Sequence, residues 1–469
     1  MQNETSNISK GSAIDSRILG LPPQFIYVGI LFGLIMGYNF VVDPVHGRIQ
    51  IPKWVKKLVR NPEIRRMYDI RQLGLKAYTG FPGAMHTRYI HCIGTMHLAK
   101  ILVDKLKSKE DTHPRPELRE NLNRVDNVLM AAGFFHDVGH GPFSHVLDFV
   151  TDKMMGKKHE HLAVEILEKY EREIENAMIP FDMLTGIFSR KSSENKPYQY
   201  ISEIIDGPLD VDKMDYLLRD SYHTGLKYGF DLEYLMDHID ILGNGENLEK
   251  YQIGLKDSPN SIVVAENFLL IWRSMYSLVY YYQPTRIAEK MLEKAVIVAI
   301  EEDSEFMKKF TNVDEFLKLG ETSLLNDLLS TGEESKELVD LILSENLYIP
   351  VYEKKFGEEF EKSNLPFFDA VKDNSDSVSD EISRKMSEKF DSYSVIFDII
   401  KNKVPKTIRI NKIGEEGEPI ELTQVSPIVK AMSKQEMKIY VYIKPKLADE
   451  SIFKKENIDK QVSEIIREW

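Results

Sequence analysis

Apolar residues recur at helical spacing through most of the first 300 positions of this chain. The pattern is clearest over 90–103 and 124–135 and predicts two amphipathic helices. A charged stretch with two prolines, 107–121, lies between them and predicts a loop. Further helices are predicted over 159–170, from 200 onward with 210–219 inside one, and over 266–302. The fold is therefore predicted to be mainly α.

Alternation of apolar and polar residues, which is typical of strands, flanks this helical region. Residues 38–42 predict a strand that leads into a turn at Asp43–Gly47. Segments 251–255 and 261–264 predict a short strand pair around a Ser-Pro-Asn turn. After residue 348, alternation over 407–410, 420–422 and 438–443 predicts strands among helices. The C-terminal third is therefore predicted to be α+β.

These patterns divide the chain into four parts. We predict a helical catalytic domain at 38–245, a helical extension that completes the active-site wall at 246–345, and a smaller α+β C-terminal domain at 346–469. Residues 1–37 are predicted to be an N-terminal extension that is either disordered or the product of a start codon assigned before Met36. The apolar run 25–36 is shorter than the ~20 residues that span a bilayer, so membrane attachment is not expected.

Composition narrows the class of protein. The chain is 42% hydrophobic and 29% charged, as expected for a globular protein with a core. One cysteine, Cys92, excludes an internal disulfide framework and favours a cytoplasmic location. The net charge of −13 argues against an obligatory nucleic-acid partner. Basic residues concentrate over 53–76, which predicts either a solvated amphipathic helix or an anion-facing surface.

The histidines indicate where chemistry takes place, because all twelve lie between His46 and His238. An adjacent pair, His136-Asp137, follows an apolar helix and begins a turn rich in glycine and proline. One imidazole and one carboxylate on the same side of a cavity suit Mn, Fe, Ni, Zn or Mg. His91 and Asp212 lie beside apolar residues on predicted helices, where a buried polar tip needs a partner. Metal binding satisfies that need; hydrogen bonding between buried groups is the alternative.

Six segments together resemble the HD superfamily, which is named for the His-Asp doublet. They occur in family order and are Asp43–Gly47, Arg71–Gly74, Phe81–Ala84, Arg88–His91, His136–His145 and Asp210–Asp220. More narrowly, the chain resembles the deoxynucleoside triphosphate triphosphohydrolases, which include bacterial dGTPases and the vertebrate HD-domain dNTP hydrolase. The resemblance covers residues 38–302 and, more weakly, the C-terminal region. It implies an HD-domain helical bundle with a smaller α+β C-terminal region.

The resemblance also implies a reaction. One divalent metal ion would be held by His91, His136, Asp137 and Asp212. Water would attack the α-phosphorus of a dNTP and release a deoxynucleoside and triphosphate. The partners implied are a deoxynucleotide substrate and a second copy of the chain, in a dimer or tetramer.

The remaining site residues are carried over position by position. Phosphate contacts are expected from Arg88, His140, His145 and Lys213. His159, oriented by Asp148, resembles the acid/base pair that protonates the 5′-oxygen. The deoxyribose would contact Gln72, Tyr216 and Asp220, with Tyr280 stacked on the sugar. The alternatives are a helix cap for His140 and a core position for Tyr216.

Other residues are kept out of the site. Asp215 and Arg219 form an i,i+4 pair and are expected only to stabilise their helix. His97 and His161 are expected to be surface or core groups, and Cys92 a packed thiol.

Two departures from the family limit what can be carried over. Relatives have Tyr-x-His-Lys where this chain has Tyr280-Tyr281-Tyr282-Gln283, and nucleotide-activated relatives have Asp where this chain has Arg60. Base preference and an activator site are therefore not expected to follow the relatives. Two other functions stay open: an HD phosphatase acting on another nucleotide or phosphomonoester, and a regulator that binds nucleotide or nucleic acid without hydrolysis.

Overall fold

A computed structural model describes residues 39–109, 116–189, 198–243, 247–356, 365–387, 394–413 and 419–467. The predicted N-terminal extension lies outside these residues. The chain enters the fold through an antiparallel hairpin of β1 (Phe40–Asp43) and β2 (Gly47–Gln50). The strand predicted over 38–42 is therefore confirmed from Phe40 onward.

Helices then dominate as far as the next strand, and the mainly α prediction is confirmed. They are α1 (Lys53–Leu58), α2 (Pro62–Arg65), α3 (Lys76–Thr79), α4 (Arg88–Ser108), α5 (Pro116–Phe135), α6 (Asp148–Met155), α7 (His159–Glu168), α8 (Glu171–Glu175), α9 (Phe181–Ser189), α10 (Gln199–Asp206), α11 (Val211–Thr224) and α12 (Leu232–His238). The long helices α4 and α5 pack side by side, and α11 packs against α4. These contacts bring the ends of three helices to one place.

Of the two strands predicted over 251–255 and 261–264, the structure contains the first and not the second. β3 (Ile239–Leu242) pairs with β4 (Gln252–Leu255) in an antiparallel register, which confirms 251–255 as a strand but gives it another partner. The strand predicted over 261–264 is wrong, because these residues lie in α13 (Pro259–Met275). Ser258 caps this helix, its side chain accepting from the backbone of Asn260, and proline occupies the first helical position. The Ser-Pro-Asn sequence is a helix start rather than a hairpin turn.

The helical extension continues from α13. A π-helical segment (Tyr276–Tyr280) follows it, and then come α14 (Gln283–Glu302), α15 (Ser304–Thr311), α16 (Val313–Phe316), α17 (Glu321–Thr331) and α18 (Glu333–Leu343). Within the described part of the chain, one stretch, Pro259–Tyr280, is long and apolar enough to cross a membrane by length and composition. Phe268 and Trp272 of this stretch are buried in the protein core, and a single such helix is weak evidence for a membrane span.

The C-terminal third contains the expected mixture of strands and helices. Its elements are β5 (Ile349–Phe356), α19 (Leu365–Asp373), α20 (Ser375–Ser387), β6 (Val395–Lys401), β7 (Arg409–Ile413), β8 (Pro419–Glu421), α21 (Leu422–Val425), α22 (Pro427–Met432), β9 (Met437–Ile443) and α23 (Lys455–Arg467). Strands β5, β9 and β6 form one antiparallel sheet, whose apolar residues belong to a second, smaller core.

The C-terminal strands also join the helical part. Strand β7 pairs in parallel with β4 through Leu255 and Ile410, so one sheet has the order β3-β4-β7-β8. The second core begins at Tyr352, which supports a boundary near residue 346, although the four-part division itself stays a proposal.

Candidate metal centre and active-site cleft

The four predicted metal ligands converge on one point. His91 lies in the first turn of α4, His136 and Asp137 follow the end of α5, and Asp212 lies in the first turn of α11. His91 Nε2 is 3.2 Å from His136 Nε2, 3.1 Å from Asp212 Oδ1 and 3.5 Å from Asp137 Oδ2. His136 Nε2 is 3.4 Å from Asp212 Oδ1 and 3.5 Å from Asp137 Oδ1.

These distances and donor types fit a divalent ion. Ligand atoms that bind one centre at about 2.1 Å lie roughly 3 to 3.5 Å from one another. Two imidazoles and two carboxylates in the protein interior also need a cation or shared protons to offset their desolvation. The residues therefore match the mixed nitrogen and oxygen set expected from the sequence.

The orientation of both imidazoles is fixed by contacts of their Nδ1 atoms, which face away from the common centre. His91 Nδ1 is 2.7 Å from Asp215 Oδ2, and His136 Nδ1 is 2.9 Å from the carbonyl oxygen of Gly133. Each contact turns Nε2 toward the common centre. Arg219 donates two hydrogen bonds of 2.8 Å to Asp215 and one of 2.7 Å to Asp43.

The interpretation of Asp215 and Arg219 as a pair that only stabilises its helix was therefore wrong. Both side chains are completely buried, and Asp215 also contacts His46 Nε2 at 2.6 Å. An i,i+4 spacing is the same for a surface pair and for a buried one, so the spacing could not distinguish them. The signal that could have done so is the apolar context of α11, together with the motif Asp43–Gly47, whose carboxylate completes the network.

Arg88 connects the metal centre to the cleft wall. Its Nη1 donates to Asp137 Oδ2, and its Nε donates to Ser144 Oγ at 2.9 Å. Burial alone would raise the pKa of Asp137, but the charges of Arg88 and His136 hold this pKa well below its usual range. Phe143 and Ser144 have φ values of 58° and 59°, a conformation that is costly for residues other than glycine. Ser144 Oγ donates to the carbonyl oxygen of Arg71 at 2.7 Å, which helps to hold this strained turn.

A second cluster of side chains lies beside the metal centre, and it contains His140, His145, Asp148 and His159. Asp148 Oδ2 is 2.9 Å from His145 Nδ1 and 3.4 Å from His159 Nδ1, so it is shared by two imidazoles. The rings of His140 and His159 stack with centroids 3.8 Å apart. Burial opposes protonation of both rings, yet Asp148 raises the pKa of His159, whereas Arg88 and His159 lower the pKa of His140 further. Two imidazoles whose pKa values are shifted in opposite directions therefore lie face to face.

Gly139 makes this stack possible. A Cβ atom at this position would lie 2.0 Å from the carbonyl oxygen of His159, so any larger residue would push α7 away. His140 is accordingly a buried member of the cluster rather than a simple helix cap. His161, two residues beyond His159, is exposed and caps α7 by accepting from the backbone of Lys158.

The metal centre opens into a cavity of about 450 Å³. Its lining includes Arg88, His145 and His159, and therefore the expected phosphate-binding and acid/base groups. Lys213 also lines it, but its ammonium group donates to Asp210 and to the carbonyl oxygen of Gly207. A phosphate contact from Lys213 would have to share the ammonium group with these acceptors.

A second cavity of about 310 Å³ adjoins the first and shares Gln72, Arg88, His145 and Tyr216 with it. Tyr280 donates to Asp220 Oδ2 at 2.7 Å, and His86 Nε2 contacts Asp220 Oδ1 at the same distance. Gln72 Oε1 is buried without a hydrogen-bond partner among the described residues. The residues expected to contact the sugar therefore line one chamber, which contains an acceptor that lacks a donor.

The wall of this chamber depends on Glu321, which the sequence did not indicate, and on Gly74 of the segment Arg71–Gly74. Glu321 in α17 accepts a 2.9 Å hydrogen bond from the backbone of Arg71 and lies 3.2 Å from its guanidinium group. Gly74, with φ 48°, lies so close to Phe143 that a Cβ atom would be 2.9 Å from its carbonyl oxygen.

The basic segment 53–76 is neither a single solvated helix nor an anion-facing surface throughout. It breaks into short helices, and two of its cations are buried. Arg66 donates to the carbonyl oxygens of Val138 and His140, and Lys76 contacts Glu289 at 2.9 Å. Cys92 is a packed thiol as expected, completely buried with its sulfur 3.8 Å from that of Met67.

Comparison with protein families agrees with this geometry. The family described as HD domain matches residues 88–220, and the family described as HD associated region matches residues 252–459. The first match contains all four converging ligands. Residues 88–220 form an HD domain. The resemblance to the HD superfamily, which the six sequence segments carry, is thereby confirmed. The predicted HD helical fold is confirmed as well.

Curated relatives of this HD-domain protein include proteins with and without a stated activity. An uncharacterized protein of Methanocaldococcus jannaschii is 32% identical over 292 residues, which are 60% of this chain and 56% of the relative. A deoxynucleoside triphosphate triphosphohydrolase SAMHD1 homolog of Dictyostelium discoideum is 27% identical over 82% of this chain and 70% of its own length. The deoxynucleoside triphosphate triphosphohydrolase SAMHD1 of Gallus gallus is 34% identical over 41% of this chain, but only 35% of its own length is covered.

Solved structures show the same fold. A phosphohydrolase from Bacteroides thetaiotaomicron superposes with a TM-score of 0.64 over 86% of this chain and 99% of its own, at 24% identity. A hypothetical protein from Aquifex aeolicus superposes with a TM-score of 0.60 over 87% and 97% of the two chains, also at 24% identity. The HD domain and its His/Asp cluster support a divalent metal, but the individual roles of the site residues stay predictions.

Proposed function

We propose that this HD-domain protein hydrolyses dNTPs to a deoxynucleoside and triphosphate by attack of water on the α-phosphorus. The observation that carries the proposal is the pair of joined cavities. His136, Asp137 and Asp212 line the first, Asp220 and Tyr280 line the second, and Gln72 lines both. A deoxynucleotide has the matching arrangement, since its phosphates and its sugar lie on either side of the 5′-oxygen. The activity for which the Dictyostelium and chicken relatives are named supports the same substrate class.

We further propose that His91, His136, Asp137 and Asp212 hold one divalent ion, whose identity the donor set leaves among Mn, Mg, Fe, Ni and Zn. Such an ion, when bound, polarises a phosphoryl oxygen and lowers the pKa of a bound water. Arg88 is fixed between Asp137 and Ser144 and is positioned to stabilise charge that develops on the α-phosphate.

The leaving group requires a proton, and His159 is its proposed source. This imidazole lines the metal-side cavity, and the neighbouring Asp148 raises its pKa against the effect of burial. His159 would protonate the 5′-oxygen of the deoxynucleoside as the bond to phosphorus breaks. Asp148 would orient His159 and His145 together, and His145 would donate to a phosphate oxygen.

On the sugar side, the first proposed contact is to a polar atom that has no hydrogen-bond partner among the described residues. Gln72 Oε1 lacks a donor among the described residues, and the 3′-hydroxyl of the deoxyribose would supply one. Tyr216 and Tyr280 contact each other edge to face, with centroids 5.9 Å apart, and would together form one surface against which the sugar ring packs. A homo-oligomer, a cytoplasmic location and independence of nucleic acid remain predictions from the sequence.

The second candidate is an HD phosphatase that acts on another nucleotide or phosphomonoester. The metal centre serves both reactions, so only the reaction products separate them. A non-catalytic regulator is disfavoured because one cavity is lined by three of the four candidate ligands, by Arg88 and by three histidines of the second cluster. These residues are His136, Asp137 and Asp212, with His140, His145 and His159.

The test is incubation of the purified protein with each dNTP and NTP in the presence of Mn, Mg, Fe, Ni or Zn, with products separated by chromatography. The expected products are deoxynucleoside and triphosphate in equal amounts. Release of orthophosphate alone would favour the second candidate, and absence of turnover with every metal would favour the regulator.

A matched pair of histidine variants provides the control. His159→Ala is expected to abolish product formation while metal content is retained. His161→Ala removes an exposed imidazole two residues away and should leave the rate unchanged. Equal activities of the two variants would remove His159 from the mechanism.

A further inference from the structure

One cation in the cleft comes from the C-terminal domain and has no carboxylate partner. Lys403 lies in the segment between β6 and β7 and lines both cavities. Its side chain is exposed, and Nζ lies 5.2 Å from the centroid of the Tyr276 ring. No ion pair of Lys403 occurs among the described residues.

The other cations that line the two cavities are all neutralised. Their carboxylate partners are Glu289 for Lys76, Asp137 for Arg88, Asp210 for Lys213, Asp398 for Arg286, Glu293 and Asp376 for Lys290, and Asp206 for Lys406. Within the described lining, Lys403 therefore carries the positive charge that the protein itself leaves uncompensated. An anionic ligand would supply the missing partner.

The segment that carries Lys403 is held in position. The Tyr281 hydroxyl donates to the carbonyl oxygen of Lys401 at 2.9 Å, and it also hydrogen-bonds the backbone of Lys403. Asn402 Nδ2 donates to the carbonyl oxygen of Lys434 at 3.0 Å. The backbone is thus anchored at Lys403 and just before it, while the flexible side chain of Lys403 lines both cavities.

We propose that Lys403 binds the phosphates beyond the α-phosphate and so selects a triphosphate over a monophosphate. The inference deepens the function proposed above and rests on it. The metal ligands and Arg88 account for the α-phosphate, whereas Lys403 lies on a different structural element, residues 403–406, that lines the metal-side cavity. A lysine ammonium group suits a flexible polyphosphate chain because it acts as a point charge without a fixed geometry.

The experiment measures binding of inorganic tripolyphosphate and of orthophosphate to the metal-loaded protein by titration calorimetry. Lys403→Ala is expected to weaken tripolyphosphate binding by about 10-fold, which corresponds to ~1.4 kcal/mol. Orthophosphate and deoxynucleoside should bind with unchanged affinity. Lys403→Arg should retain most of the tripolyphosphate affinity, and the loss in Lys403→Ala should shrink at high salt.

Lys430→Ala is the matched control, because this lysine is exposed in the same domain and lines neither cavity. Unchanged tripolyphosphate binding in Lys403→Ala would overturn the inference, and so would an equal loss of orthophosphate binding. Failure of the wild-type protein to bind tripolyphosphate would also overturn it. The proposed function fails on a separate result, which is the absence of triphosphate among the products of wild-type turnover.

Discussion

The two sides of the cleft are built in different ways. The candidate ligands of the metal centre all come from the HD domain, from helix ends, with carboxylates such as Asp215 buried behind them. The chamber on the other side is assembled from segments that are far apart in sequence. Glu321 holds one wall, and the bidentate pair of Arg286 and Asp398 joins α14 to β6 at the other. The comparison teaches that the candidate ligands come from one segment of the sequence, whereas the walls of the adjoining chamber come from segments distributed along the chain.

The largest expected effect tests the metal side. Asp137→Ala removes a ligand and leaves the Arg88 guanidinium buried without its carboxylate. Turnover should fall by about a thousandfold or more, together with metal content. Elemental analysis and product assays measure both. Asp104→Ala, at an exposed position on the far part of α4, should change neither; full metal content in Asp137→Ala would show that the four side chains do not form one site.

The next effect concerns the carboxylate behind the ligands. Asp215→Asn weakens the contact that orients His91, so metal affinity should fall by about 10- to 100-fold. Competition with a chelator gives the affinity, and circular dichroism checks that the variant is folded. Asp237→Asn, an exposed substitution, is the control. An unchanged affinity in Asp215→Asn would return this residue to a purely structural role.

On the chamber side, the raised pKa of Glu321 predicts that the stability of the folded protein depends on pH. Burial raises the pKa of Glu321 to about 7, against an ordinary value of 4.5, although Arg71 opposes the shift. The folded protein therefore keeps this proton where the unfolded chain has lost it. The resulting stabilisation is complete below about pH 4.5 and is lost as the pH rises through about 7.

Glu321→Gln cannot titrate and should not lose this stabilisation. Its free energy of unfolding relative to wild type should rise between about pH 5 and about pH 8, by at most about 3 kcal/mol. Urea denaturation at the two pH values measures the difference, and Glu293, whose pKa is also about 7, titrates in both proteins and cancels. A constant difference would show that Glu321 is ionised throughout.

The smallest effect is expected at the sugar. Tyr280→Phe removes the hydrogen bond to Asp220 but keeps the ring. The KM for a dNTP should rise by about 2- to 10-fold with kcat nearly unchanged, since a single hydrogen bond contributes about 0.5–1.5 kcal/mol. Steady-state kinetics on the preferred dNTP give both constants. Tyr222→Phe, an exposed position on α11, is the control, and a large fall in kcat would give Tyr280 a role in the reaction itself.

The sequence by itself determined the helical class, the HD domain and the candidate ligands. His136-Asp137 and the helices that carry His91 and Asp212 could be recognised because ligand type and helical periodicity are local properties of the chain. The same local reasoning failed at Ser258-Pro259-Asn260, where one tripeptide is compatible with a hairpin turn and with a helix cap. The neighbours along the chain do not distinguish these two structures.

Only the tertiary structure decided which polar residues act together. Asp215 and Arg219 have the same spacing whether they face solvent or His91, and only the packing of α11 on α4 buries them. Glu321 reaches Arg71 across 250 positions, and Lys403, in the segment that follows β6, lines both cavities. Desolvation and the presence or absence of a counter-charge give these residues their roles, and both depend on segments that are distant in sequence.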